Sequence, residues 1–194
     1  MTTEFYVEGI NDIKYLTLNF CVDSVGKTTD VEIIADKTTI QDSSIINQIV
    51  KYRKGIEYYP DTKLKNNCHD QTFSFISKEF ENSHIEESDF YKLDNFKIGI
   101  YKYHDIYYKN TIITRTENIQ IEETNGEVYK YKIEWPKPNQ YILTYLEVGK
   151  KEHEYLLGEK IYVEIIKQID SQTYVYRSNL LNKIIITGII VKNN

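Results

Sequence analysis

Cysteine and proline are scarce in this sequence: two and three residues in 194. Cys21 and Cys68 make no disulfide framework. They are expected as reduced, mostly buried thiols, and a single bridge would require export. Little alanine or proline beside abundant isoleucine, lysine, asparagine and tyrosine points to an AT-rich coding sequence. No apolar run approaches the roughly 20 residues that a membrane helix needs. The opening Met1-Thr2-Thr3-Glu4-Phe5 lacks the basic start and apolar core of a signal peptide, so a cytoplasmic location is expected. A basic surplus is also missing. Net charge is −5, with 9 Lys+Arg against 16 Asp+Glu in residues 1–90 and 15 against 13 in residues 91–194. A general nucleic-acid binder is therefore not expected.

What the sequence does have is tyrosine, 18 in all and 13 of them after residue 90. There, apolar or aromatic residues alternate with polar ones, the period of strands with one buried face. The runs are Asn95–Tyr103, Thr111–Arg115, Asn118–Glu122, Val128–Trp135, Tyr141–Tyr145, Lys160–Ile169, Thr173–Arg177 and Lys183–Val191. Asn125-Gly126 between two of them is a strong hairpin signal, because both turn positions need positive φ. About eight strands are too many for one flat sheet and predict an antiparallel barrel or sandwich.

The first half reads differently. Ile13–Asp23 and Thr28–Ala35 form a hairpin around Ser24-Val25-Gly26-Lys27. Asp42 or Ser43 caps a helix carrying Ile45, Ile46, Ile49, Val50 and Arg53, with Gly55 as its stop. Ile45, Ile49 and Tyr52 are expected to pack on the hairpin. Thr72–Ile76 alternates as a third strand, although a helix over 66–80 fits the same residues. The acidic stretch up to Asp89 reads as a boundary. The class is thus α+β, with a ββαβ domain over 1–82, a linker at 83–89 and a mainly antiparallel β domain over 90–194.

Four constellations bear on chemistry. Val25-Gly26-Lys27-Thr28-Thr29 ends like a phosphate-binding loop, but the earlier glycine is replaced by Cys21 and a strand follows. It reads as a turn. Cys68-His69-Asp70 has no second histidine or cysteine pair to complete a zinc site. Arg115, Gln120, Glu122 and Glu134 lie on neighbouring strands, where they either line a pocket or form an exposed face of cross-strand pairs. Tyr129, Tyr131 and Tyr145 stand in the same tyrosine ladder as Tyr101, Tyr103 and Tyr141. They serve either packing or ligand contact. Phe96 and Trp135 are assigned to the core.

Phe20-Cys21-Val22-Asp23-Ser24-Val25-Gly26-Lys27, with the helix around Ile45–Tyr52, resembles the C-terminal domain of the TonB family. The second half carries Phe96, Lys97, Gly99, Tyr101, Lys102, Tyr103, Arg115, Gln120, Glu122, Ile133, Trp135, Tyr141, Leu143, Thr144, Tyr145, Gly158, Lys160, Ile161 and Gly188. In that pattern it is similar to a group of small uncharacterised β-rich domains of calycin or lipocalin type. The resemblance implies a ligand-binding barrel. The leading expectation is a non-enzymatic binding module for a small molecule or a partner protein, with no cofactor and no metal. A scaffold acting by β-edge pairing is the alternative, and an enzyme comes third, since no acid, base and nucleophile set stands out.

Overall fold

A computed structural model describes residues 6–7, 13–59, 62–105, 108–180 and 184–193. The chain divides into two compact units, Met1–Lys78 and Glu79–Asn194. The division falls upstream of segment 83–89, which the sequence marks as a linker; that segment belongs to the second unit.

In the first unit, β1 (Tyr6–Val7), β2 (Lys14–Val22), β3 (Thr28–Ile33) and β4 (Asn67–Ser77) form a sheet in the order β1-β4-β2-β3. Residues 66–80, open between strand and helix in the sequence, supply β4, which runs antiparallel to β2 along its whole length. The β2–β3 turn is built by Asp23, whose Oδ1 accepts hydrogen bonds from the Val25 and Lys27 amides at 2.9 and 2.8 Å. Gly26 adopts φ +91° there, a region open to glycine without steric cost. The Gly-Lys-Thr-Thr run is therefore a hairpin, with no helix after it.

Helix α1 (Ser43–Lys54) starts where Asp42 caps the Ser44 and Ile45 amides. Its buried face is Ile49 and Arg53, with Ile45, Ile46 and Val50 packed alongside. Tyr52, expected on that face, is exposed. The position four residues after Ile49 is Arg53, whose aliphatic stem and flat head lie on the sheet. Its guanidinium sits 3.3 Å from the centroid of the Phe20 ring, a cation–π contact.

The two cysteines are not free thiols. Cys21 and Cys68 are joined in a disulfide. The reason is register: they are direct cross-strand partners on β2 and β4, with Cα atoms 3.9 Å apart. Nothing in a separation of 47 residues signals this. The neighbouring candidates are also occupied. The His69 Nε2 lies 2.8 Å from the Leu64 carbonyl, and Asp70 accepts hydrogen bonds from Asn19 and Lys37.

The second unit is a closed eight-stranded barrel. Its strands are β5 (Gly99–Tyr103), β6 (Ile112–Arg115), β7 (Ile119–Thr124), β8 (Glu127–Lys137), β9 (Gln140–Glu147), β10 (Lys160–Gln168), β11 (Thr173–Leu180) and β12 (Ile184–Asn193). Each pairs antiparallel with the next, and β12 returns to β5. Between the barrel and sandwich readings of the sequence, closure decides for the barrel and leaves its strands no open edge. Eight strands enclose a space that side chains can fill, and a large apolar cluster occupies much of it here. Tyr101, Ile113, Tyr131, Ile133, Tyr141, Leu143, Val163, Ile165, Tyr174 and Ile190 form one buried cluster. One end of the barrel is stoppered by a 3-10 segment over Glu87–Phe96, which buries Leu93 and Phe96 completely. Lys192 fastens that segment through Asn95. Trp135 packs on the same cluster but is only partly buried.

Candidate functional site

The barrel interior is built around a charge. Arg115, on β6, is 1% exposed. β6 carries Ile113 and Arg115 inward because alternate residues share a face. The guanidinium reaches across the barrel. Nε donates to Gln120 Oε1 at 2.9 Å and Nη1 to the Phe96 carbonyl at 2.9 Å. Nη1 and Nη2 both reach the Tyr174 hydroxyl at 3.3 Å, and Nη2 reaches that of Tyr141 at 3.4 Å. The Tyr101 and Tyr141 rings lie with centroids 4.8 and 4.7 Å from its central carbon. A buried guanidinium is tolerable only when its donors are used, and tyrosine faces add electrostatic relief. Burial pushes the Tyr101 hydroxyl up to about 12, with the Arg115 charge opposing the rise.

Gln120 is 1% exposed and passes the network on. Its Nε2 donates to Glu122 Oε1 at 2.7 Å, and the Tyr103 hydroxyl donates to the same oxygen at 3.0 Å. Arg115 and Glu122 are thus linked through an amide rather than in contact. Burial raises the Glu122 carboxyl above its ordinary range, while the bonds from Tyr103 and Gln120 and the Arg115 charge hold it back. Glu122 nevertheless keeps part of its surface in solvent. Among the described residues, no hydrogen bond reaches its second oxygen, Oε2.

Around Glu122, at the barrel end opposite the Glu87–Phe96 stopper, tyrosines gather from several strands. Tyr103 and Tyr176 have ring centroids 6.4 Å apart, and Tyr103 and Tyr108 5.7 Å. The Tyr131 and Tyr145 rings meet at a tilt of 54° with centroids 4.8 Å apart. Burial raises the hydroxyls of Tyr103, Tyr131 and Tyr176, and the Glu122 charge adds to each. Gly188 makes room for this arrangement. It lies opposite Tyr176 in register, and a Cβ there would meet the Tyr176 ring at 2.7–2.8 Å.

Of the sequence candidates, Arg115, Gln120, Glu122, Tyr131 and Tyr145 come together inside the barrel. Tyr129 is half-buried at the rim, its hydroxyl 2.7 Å from His153 Nδ1. Glu134 does not join them: it is exposed on the outer face with Lys132 Nζ 3.0 Å away. Tyr131, Ile133 and Trp135 hold the inward positions of β8, so Glu134 must point out. Sequence reading missed Tyr174 and Tyr176, since the ladder it followed ended at Tyr145. The same alternation in Thr173–Arg177 carries their signal.

A separate groove of about 450 Å³ lies on the outer face of β9–β11, lined by Ile142, Tyr162, Glu164, Arg177 and Asn179 among others. Arg177 is committed there to the Phe80 and Glu81 carbonyls. Among the described residues, no three His, Cys, Asp or Glu side chains are grouped to hold a metal, and no helix is long and apolar enough to cross a membrane. No family model, curated protein or solved structure matches this chain.

Proposed function

We propose that this chain is a non-enzymatic binding protein, and that its barrel takes up a small molecule at the end where Tyr103 and Glu122 lie. One observation carries the reading: a part-exposed carboxylate inside a barrel, with one oxygen held by Tyr103 and Gln120 and the other unused by the described residues. A carboxylate placed there only for packing would be costly, because burying a charge is unfavourable unless it is fully paired. A few polar groups converging within apolar walls are the usual make-up of a ligand site. The calycin-like resemblance points the same way as a fold analogy, and the TonB-like reading of the first unit says nothing against it. The β-edge alternative narrows to the small sheet, where β3 lies at an edge. The disulfide favours an oxidising compartment over the cytoplasm.

Native mass spectrometry of the full chain purified from its own cells tests this. A co-purifying small molecule is expected, lost in Glu122→Gln. A ligand-free protein that also binds nothing in a metabolite screen would remove the reading and leave β-edge pairing in its place.

A further inference from the structure

Resting on that reading, we infer that the ligand is a small organic cation, an alkylammonium or quaternary ammonium group held by Glu122 within a box of tyrosine rings. The charge at the site decides its sign. The buried cation, Arg115, is withdrawn: every one of its nitrogens is bonded, and tyrosine rings flank its central carbon. An anion entering the barrel would find no free guanidinium donor and would approach Glu122 first. A cation meets the opposite situation. Glu122 Oε2 has no hydrogen-bond partner among the described residues, and the carboxylate keeps part of its surface in solvent.

The walls fit the same charge. Tyr103 and Tyr176 are half-buried and Tyr108 is exposed, so these rings keep surface to offer. Tyr103 is in ring contact with both of the others. Aromatic faces carry negative potential, and boxes of them recognise quaternary ammonium groups. Asp105 adds to it, since its charge is felt at the Tyr108 and Tyr176 hydroxyls. Tyr131 and Tyr145, a tilted ring pair, add two more hydroxyls on which the Glu122 charge acts. Neither the tyrosine ladder nor the isolated glutamate requires a cation alone. Their convergence on one carboxylate oxygen without a partner among the described residues favours one.

Isothermal titration of the full chain with choline, 3,3-dimethylbutan-1-ol and butyrate tests the inference. The three have similar bulk and carry positive, zero and negative charge. Choline is expected to bind at least tenfold more tightly than the neutral alcohol, and butyrate not at all. Glu122→Gln and Tyr176→Leu should each weaken choline tenfold or more, while circular dichroism confirms that the variants fold. The comparison among ligands on the unaltered chain stands even if a variant does not fold. If butyrate or the alcohol binds as well as choline, and does so through Tyr176, the charge assignment fails while the barrel remains a binding site. If none of the three binds and none of a panel of primary, quaternary and diamine cations binds, the inference is overturned.

Discussion

Arg115 is the residue on which most of the interior depends. It bonds a side chain on β7, the Phe96 carbonyl of the stopper, and hydroxyls on β9 and β11. Arg115→Ala removes a charge that Glu122 partly balances, opens a cavity and leaves Gln120 and two tyrosine hydroxyls short of partners. The expected loss is about 3–5 kcal/mol, the range for breaking a buried pair or emptying a large buried site, read by urea unfolding of the barrel. Arg115→Lys should recover little of it, because one ammonium cannot match a planar fork that serves four partners. Glu122 predicts a pH dependence. Its folded carboxyl titrates above its unfolded value, so the folded state holds its proton more tightly. The stability from that proton is complete below about pH 4, near the unfolded value, and is lost as pH rises through the raised folded value. Unfolding free energy measured from pH 4 upward should therefore fall over that window, and Glu122→Gln should flatten the fall. A wild-type profile already flat there would count against the raised Glu122 carboxyl. The sequence set Arg115, Gln120, Glu122 and Glu134 on neighbouring strands, either lining a pocket or on an exposed face. Whether that face looked into a barrel or into water depended on closure, which no local pattern reveals.

At the scale of elements, strands and turns were legible because each rests on local chemistry. The Ser24–Lys27 turn, a helix cap at Asp42 or Ser43 and the Asn125-Gly126 hairpin are short-range signals; the turn and hairpin are seen, and Asp42 is the cap. Pairings between distant strands were not legible. The link between β2 and β4 sets Cys21 against Cys68, and only that register reveals the bridge. Tyr52 against Arg53 was lost for another reason: helical spacing admits both, and the long stem of arginine packs where its charge would forbid a hydropathy scale to put it. The disulfide has a consequence for the first unit. Closing a loop of this separation restricts the unfolded chain by about 4 kcal/mol in the loop-entropy estimate. Reduction should lower the urea midpoint of the first unit, followed by a circular dichroism signal or by proteolysis within residues 1–78. Trp135, the single tryptophan, belongs to the barrel, and its fluorescence transition is expected to stay in place. A shift of the tryptophan transition alone would mean that the bridge acts elsewhere.

For the whole molecule, charge and hydropathy read two units with a linker at 83–89, and the compact second unit begins at Glu79. Residues 79–89 are acidic and poor in large apolar groups, so they read as a linker. The few apolar residues present are nevertheless used. Phe80 is 1% exposed, its carbonyl accepts from Arg177, and the Lys167 ammonium lies 5.4 Å from its ring centroid. Ile85 and Phe90 pack on the main barrel cluster. Of these, Ile85 lies within 83–89, and Phe80 and Phe90 flank it. Two fragments separate the alternatives, one over 79–194 and one over 90–194. Both contain every strand of the barrel and the Trp135 reporter. The longer one keeps Phe80, and removing a buried phenylalanine costs about 3–5 kcal/mol. In a domain of total stability of order 5–15 kcal/mol, that is a large share, and it corresponds to a drop in melting temperature of roughly 10 °C or more. The 79–194 fragment should therefore show the tryptophan melting transition of the full chain, and the 90–194 fragment a clearly lower one. Phe80→Ala in the longer fragment should reproduce most of the difference, since Ile85 remains. Equal melting of the two fragments would restore 83–89 as a linker and make the burial of Phe80 incidental to the stability of the barrel.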